Sequence, residues 1–266
     1  MSPAALALAL AVGAPNATPN GVPNIAPNLP PHDRQPAPGA ARDTGGLAGL
    51  PLVEVPARGG PPRALAVLVT GDGDWGALAR QVAQTLADSG VGVVAVKARA
   101  YLSAAPRTPD GVAGDLSRVA RTYALRWDPP AAGRSPVPVA LVGYSRGADM
   151  LPLVAPRLAP DVRARVASVT MLGLATSANL TFHWTDLVRD AARPSDVPVA
   201  PELPRLRAAL PRARLVCVYG EDEKDSGCRG ADPALLVRVP TGGGHHFDRD
   251  YPALADVVLA GLRPRD

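Results

Sequence analysis

Gly143-Tyr144-Ser145-Arg146-Gly147 is a G-x-S-x-G pentapeptide. A serine hydroxyl is a weak nucleophile until a base takes its proton, and this pattern suits a serine held on a sharp turn between a strand and a helix. The apolar run Val137–Val142 precedes it and an amphipathic stretch follows, which is the context the motif demands. The glycines let neighbouring backbone approach closely. A helix opening here would aim its amides and its positive dipole end at a developing oxyanion. Ser145 is the candidate nucleophile.

The base and its orienting acid are sought downstream, in the order serine, acid, histidine. Thr241-Gly242-Gly243-Gly244 leads into His245-His246-Phe247, late in the chain. Glycines let such a loop carry an imidazole over a sheet edge. His245 is preferred and His246 is the alternate. The acid belongs after the run Leu215–Tyr219, where Glu221, Asp222, Glu223 and Asp225 compete. Asp225 is preferred on its local pattern, and Glu223 is the alternate. Cys217 and Cys228 flank this stretch, and a disulfide between them would hold the acid still; a pair of cysteines is compatible with an oxidising compartment.

A second oxyanion amide is sought in the loop after an early strand, Gly71-Asp72-Gly73-Asp74-Trp75. The backbone amides of Asp72 and Arg146 are assigned to the oxyanion. No full G-x-G-x-x-G follows, which argues against dinucleotide binding. Asp74, Trp75 and Asp149 are substrate-binding candidates: carboxylates beside the nucleophile would greet a cationic group. Asp74 equally suits a helix N-cap. No Cys, His or carboxylate spacing suggests a metal site, and no cofactor is implied.

The elements that must position these groups alternate. Strand-like runs are Leu52–Val55, Leu65–Thr70, Val91–Lys97, Val137–Tyr144, Val166–Leu174, Arg214–Tyr219 and Leu235–Val239. Helical stretches are Trp75–Ser89, Pro109–Arg126, Arg146–Leu158, Pro204–Leu210 and Tyr251–Leu262. Several strands are almost continuously apolar, as in a parallel sheet buried on both faces. The pattern predicts an α/β class, with Thr176–Pro204 (carrying Phe182 and Trp184) placed where a lid or cap would sit.

The chain of 266 residues, 47% hydrophobic, suffices for one large domain. Its formal charge of +4 is spread without a dense basic block, which excludes a nucleic-acid footprint. No run of 18 or more apolar residues occurs. Met1–Ala14 is an apolar start of h-region length ending in small residues and lacking a preceding Lys or Arg, an atypical export signal. Residues up to 46, rich in Pro-Asn pairs, read as a leader without a core, and 47–266 as the folded domain. His32 in the leader is given no role.

Taken together, GDGDW at Gly71–Trp75, GYSRGADMLP at Gly143–Pro152, FHWTDL at Phe182–Leu187, YGEDEKDSGC at Tyr219–Cys228 and GGHHFDRDY at Gly243–Tyr251 resemble the VirJ/AcvB family of virulence proteins. The likeness spans Leu47 to Leu262. The family usually has a glycine where this chain has Asp74. The resemblance implies a periplasmic α/β-hydrolase fold. It further implies a serine esterase acting on an aminoacyl (lysyl) ester of phosphatidylglycerol at the membrane surface. Alternatives are a periplasmic adaptor for type IV secretion proteins and a generic carboxylesterase or thioesterase.

Overall fold

The computed structural model describes residues 46–130, 135–182 and 196–263, and all of them belong to one unit, Asp43–Asp266. The apolar start, the leader and Trp184 lie outside the described residues.

In chain order the elements are β1 (Leu52–Val55), β2 (Ala64–Val69), α1 (Ala77–Asp88), β3 (Val91–Val96), α2 (Ala98–Ala104), α3 (Pro109–Trp127), β4 (Val139–Tyr144), α4 (Arg146–Val154), α5 (Pro160–Arg163), β5 (Val166–Leu172), β6 (Ser177–Ala178), β7 (Val197–Pro198), α6 (Glu202–Ala209), β8 (Arg214–Gly220), β9 (Val237–Thr241) and α7 (Tyr251–Gly261). Seven strands form one sheet in the order β1-β3-β2-β4-β5-β8-β9. Only β1 runs antiparallel to its neighbour; the other pairings are parallel. The pair β6–β7 stands apart from this sheet.

The reason for the near-continuous apolar runs is visible in β2. Leu65, Val67 and Val69 enter a core shared with α3, α4 and α6, while Ala64, Ala66 and Leu68 enter a second core under α1 and α7. Every residue of β2 is buried. Side chains of an extended strand alternate between faces, so a strand covered on both sides needs apolar residues throughout. Each fully buried Leu or Val contributes about 1.5–3 kcal/mol from surface removed from water. The helices show the complementary pattern: α1 buries Leu78, Val82 and Leu86 along one stripe, three to four residues apart.

The sequence boundaries differ from the structure mainly at helix ends. The helix after Ser145 stops at Val154 and continues as a single 3-10 turn, Ala155–Arg157. Pro152 inside α4 and Pro156 just beyond it remove backbone donors, which shortens the regular helix. The short helices α2 and α5 lie outside the helical stretches expected from the sequence. In all parallel strands the carboxyl ends point to one edge, and β2, β4, β5, β8 and β9 each deliver a loop there. That edge is where open α/β sheets bind ligands.

Candidate active site

Ser145 closes β4 and opens α4 with φ 52° and ψ −123°. This is left-handed backbone that an L-residue adopts only under constraint. The constraint is close packing. A Cβ on Gly143 would lie 2.4 Å from the Gly147 carbonyl oxygen, and one on Gly147 would lie 2.1 Å from that of Val69. The two glycines of the pentapeptide therefore allow β4, α4 and β2 to meet. The Ser145 amide donates to Leu172 on β5, pinning the turn to the next strand.

His245 follows β9. Glu223 Oε1 lies 2.5 Å from His245 Nδ1. The other carboxylate oxygen, Oε2, accepts from the Gly220 amide at 2.8 Å, so the side chain folds back over the end of β8. Burial pushes the Glu223 carboxyl up, but the hydrogen bonds from His245 and Gly220 outweigh it and hold its pKa below the ordinary value. It stays an anion that fixes the imidazole through Nδ1.

Of the four carboxylates after β8, the structure brings Glu223 to the histidine rather than the preferred Asp225. The physical reason is a tight turn: the Glu223 amide donates to the Gly220 carbonyl, which points the side chain back toward the sheet edge. Asp225 is exposed and has no hydrogen bond or ion pair among the described residues. Cys217 of β8 and Cys228 form a disulfide with both residues buried. Gly227 donates to the Leu174 carbonyl, and Arg229 donates to the Glu223 carbonyl, so this loop is fastened on both sides of the acid.

His246 takes a different place. Its Nδ1 is 3.0 Å from the Tyr144 hydroxyl, and the Tyr144 ring stacks on His245 with centroids 5.5 Å apart. Burial pushes the Tyr144 phenol up to about 12, so it stays neutral. Tyr144, Ser145, His245 and His246 line one cleft of about 650 Å³ with Gly71, Asp72 and Asp74. Tyr144, the first of the two variable positions of the pentapeptide, has no role in the sequence reading; its aromatic type beside the serine is the available signal.

The same cleft carries unusual backbone on its far wall. Phe247, Asp248 and Arg249 have φ of 54°, 48° and 64° in succession. A left-handed L-residue costs roughly 1–2 kcal/mol, so the turn is held by its surroundings. Phe247 is buried beneath it, and the Asp248 carboxylate lies against Gly242 and Gly243.

A family model for VirJ, a bacterial virulence protein, matches residues 63–266. The chain belongs to the VirJ family. Curated proteins give no match. Among solved structures, this VirJ-family chain resembles a thermostable carboxyl esterase from Bacillus coagulans at 9% identity and TM-score 0.52, covering 80% of this chain and 94% of that one. It also resembles a lipase in its open form at 12% identity and TM-score 0.51, covering 80% and 94%. An esterase domain from Rhodothermus marinus matches at 15% identity and TM-score 0.50, covering 78% and 89%. At these identities the likeness concerns the fold, which is that of the α/β-hydrolases.

Asp72 and Arg146 are joined through their side chains: Arg146 Nε and Nη2 donate to Asp72 Oδ1 and Oδ2 at 2.6 and 2.9 Å. This fork clamps together the two loops whose amides were assigned to the oxyanion. Asp74 does not cap α1, whose N-cap is Gly76; it reaches across to α2 and accepts from the amides of Arg99 and Ala100 at 3.0 and 3.3 Å. Asp74 has φ 49°, a left-handed conformation that glycine adopts more readily than an L-residue. Trp75 is half-buried against the core under α1 and α7, outside the cleft lining. Asp149 is also outside that lining; its Oδ1 accepts from the Ala175 amide at 2.7 Å. Burial pushes the Asp149 carboxyl up to about 7 against the pull of that amide, Arg146 and His245. The acidic cluster read from the sequence is thus occupied by protein partners. No group of three or more metal-ligating side chains occurs among the described residues.

Proposed function

We propose that this VirJ-family chain is a serine hydrolase of carboxylic esters, acting on an aminoacyl ester of phosphatidylglycerol at a periplasmic membrane surface. The observation that carries the reading is the strained Ser145 in one cleft with a histidine already engaged by an ionised Glu223. Strain at a half-buried serine that lines a cleft with an oriented base is the arrangement acyl transfer needs.

In this mechanism Ser145 Oγ attacks the ester carbonyl carbon as its proton passes to His245 Nε2. The carbonyl oxygen becomes an oxyanion held by the Asp72 and Arg146 amides, with the Asp72–Arg146 fork fixing their spacing. Collapse breaks the bond to the glycerol oxygen, which leaves as an alcohol with the proton from His245. Water, deprotonated by His245, then attacks the acyl-enzyme; the carboxylic acid leaves and the proton returns to Ser145. Glu223 stabilises the imidazolium in both halves. The buried disulfide supports an oxidising compartment.

A second reading, a carboxylesterase for esters without an ammonium group, is favoured by one specific observation. Asp72 and Asp74, the carboxylates in the cleft, are already paired with Arg146 and Arg99. The test is incubation with vesicles containing lysyl-phosphatidylglycerol or its unmodified parent, reading free lysine. Wild type should release lysine, and Ser145→Ala should lose at least ~10³-fold in rate. Turnover of simple esters without lysine release would select the second reading, and turnover retained in Ser145→Ala would remove both.

A further inference from the structure

The charges lining the cleft are unequal in one respect. Asp72 is forked by Arg146, Asp74 is held by α2 and Arg99, and His245 is held by Glu223. Arg249 lines the cleft and has no ion-pair partner among the described residues. Its sequence neighbours are both carboxylates, yet neither is turned to it. Asp248 lies over the backbone of Gly242 and Gly243, and the Asp250 side chain accepts from the Ala253 amide as the N-cap of α7. Neither flanking acid pairs with Arg249, which is left as a cation lining the cleft.

The backbone adds a second, independent observation. Arg249 ends the run of three left-handed residues, and its amide donates to the His246 carbonyl at 2.9 Å, closing the turn. Strain of this kind persists where the surrounding structure over-determines it, and it clusters at ligand-holding sites. Here it fixes Arg249 a few residues from His245, on the wall that also carries His246.

We infer that Arg249 is an anion subsite of the catalytic cleft, taking a phosphoryl group attached to the ester substrate. A guanidinium presents a planar fork of donors that matches a phosphate in two hydrogen bonds. Among the described residues lining the cleft no carboxylate is comparably unengaged, so the charge they offer a substrate is positive. This inference rests on the hydrolase reading for its chemistry, and assigns the phosphoryl side of the substrate to the Arg249 wall.

The experiment uses the full chain and two readouts. First, hydrolysis of p-nitrophenyl acetate is followed with inorganic phosphate and glycerol phosphate as inhibitors. Both should compete with the ester on the wild type. Arg249→Glu should weaken the inhibition constant at least tenfold, and Arg249→Lys should retain part of it. Arg249→Gly removes the charge while relieving the left-handed backbone, so weaker inhibition at an undiminished Tm excludes misfolding as the cause. Second, vesicles carrying lysyl esters of phosphatidylglycerol or of an uncharged diacylglycerol distinguish a lipid phosphodiester from free phosphate; Arg249→Glu should lower kcat/KM at least tenfold more for the phosphorylated lipid. Equal inhibition of wild type and Arg249→Glu, or equal losses on the two lipids, overturns the subsite. If the wild type hydrolyses nothing, the hydrolase reading fails separately, and calorimetric titration with inorganic phosphate decides the subsite: a wild-type Kd at least tenfold tighter than that of Arg249→Glu upholds it, and equal values overturn it.

Discussion

The elbow at Ser145 and the turn at Phe247–Arg249 meet the same cleft, through Ser145 and Arg249, and both hold L-residues at positive φ. They do so for different reasons. At the elbow, one residue is strained and two glycines flank it because three backbone segments meet there at contact distance. At the second turn, the glycines come earlier and three successive L-residues carry the strain over a buried Phe247. The first arrangement makes close approach possible. The second aims side chains. Strain at the elbow is bound up with close backbone packing, whereas relieving φ at Arg249 is expected to leave the fold intact.

The elbow is the less tolerant of the two turns. Gly147→Ala puts a Cβ 2.1 Å from a backbone oxygen that cannot swing away. It should cost ~3 kcal/mol or more, or prevent the native fold altogether, as read by chemical denaturation. Near-native stability would mean the three segments are not packed as described.

On the side of the second turn, Glu223→Gln should lower kcat by about 10²–10⁴-fold, since it removes the anion from His245 Nδ1 and disturbs its tautomer. Asp225→Asn should stay within about twofold. The reverse ranking would restore Asp225 as the acid.

A smaller effect lies beneath the elbow. The Asp149 carboxyl is raised above its unfolded value, so the stability it contributes is complete below about pH 4 and is lost as pH rises through about 7. Asp149→Asn keeps an oxygen to accept from Ala175 and should flatten that loss, gaining about 2–4 kcal/mol at pH 8 relative to its effect at pH 4. Parallel Tm-against-pH curves for the two proteins would contradict the assignment. The smallest change is Arg249→Gly, which should raise stability by about 1 kcal/mol by relieving one left-handed L-residue. A loss of that size would place Arg249 in the structural support of the turn.

Much of this architecture is legible in the residues because burial on both faces of a parallel sheet writes itself as unbroken apolar runs, as in β2 and β3. The nucleophile is legible too, since Gly143 and Gly147 answer a purely local crowding. The partners of the charges are not. Asp74 caps a helix that begins 24 residues later, and Asp72 pairs with Arg146 across 74 residues. Nothing local to GEDEKD separates Glu223 from Asp225, because the choice depends on a turn fastened by Leu174 and by the disulfide. The short α2 carries too few residues for a period to register, and it is fixed instead by Asp74.

The claim that Ser145, His245 and Glu223 act as one unit is tested most directly by covalent labelling with a fluorophosphonate, followed by peptide mass mapping. The account predicts a single adduct on Ser145, formed at a rate that falls at least ~10³-fold in His245→Ala and less than tenfold in His246→Ala. An adduct on another residue, or labelling of Ser145 that is indifferent to His245, would contradict it.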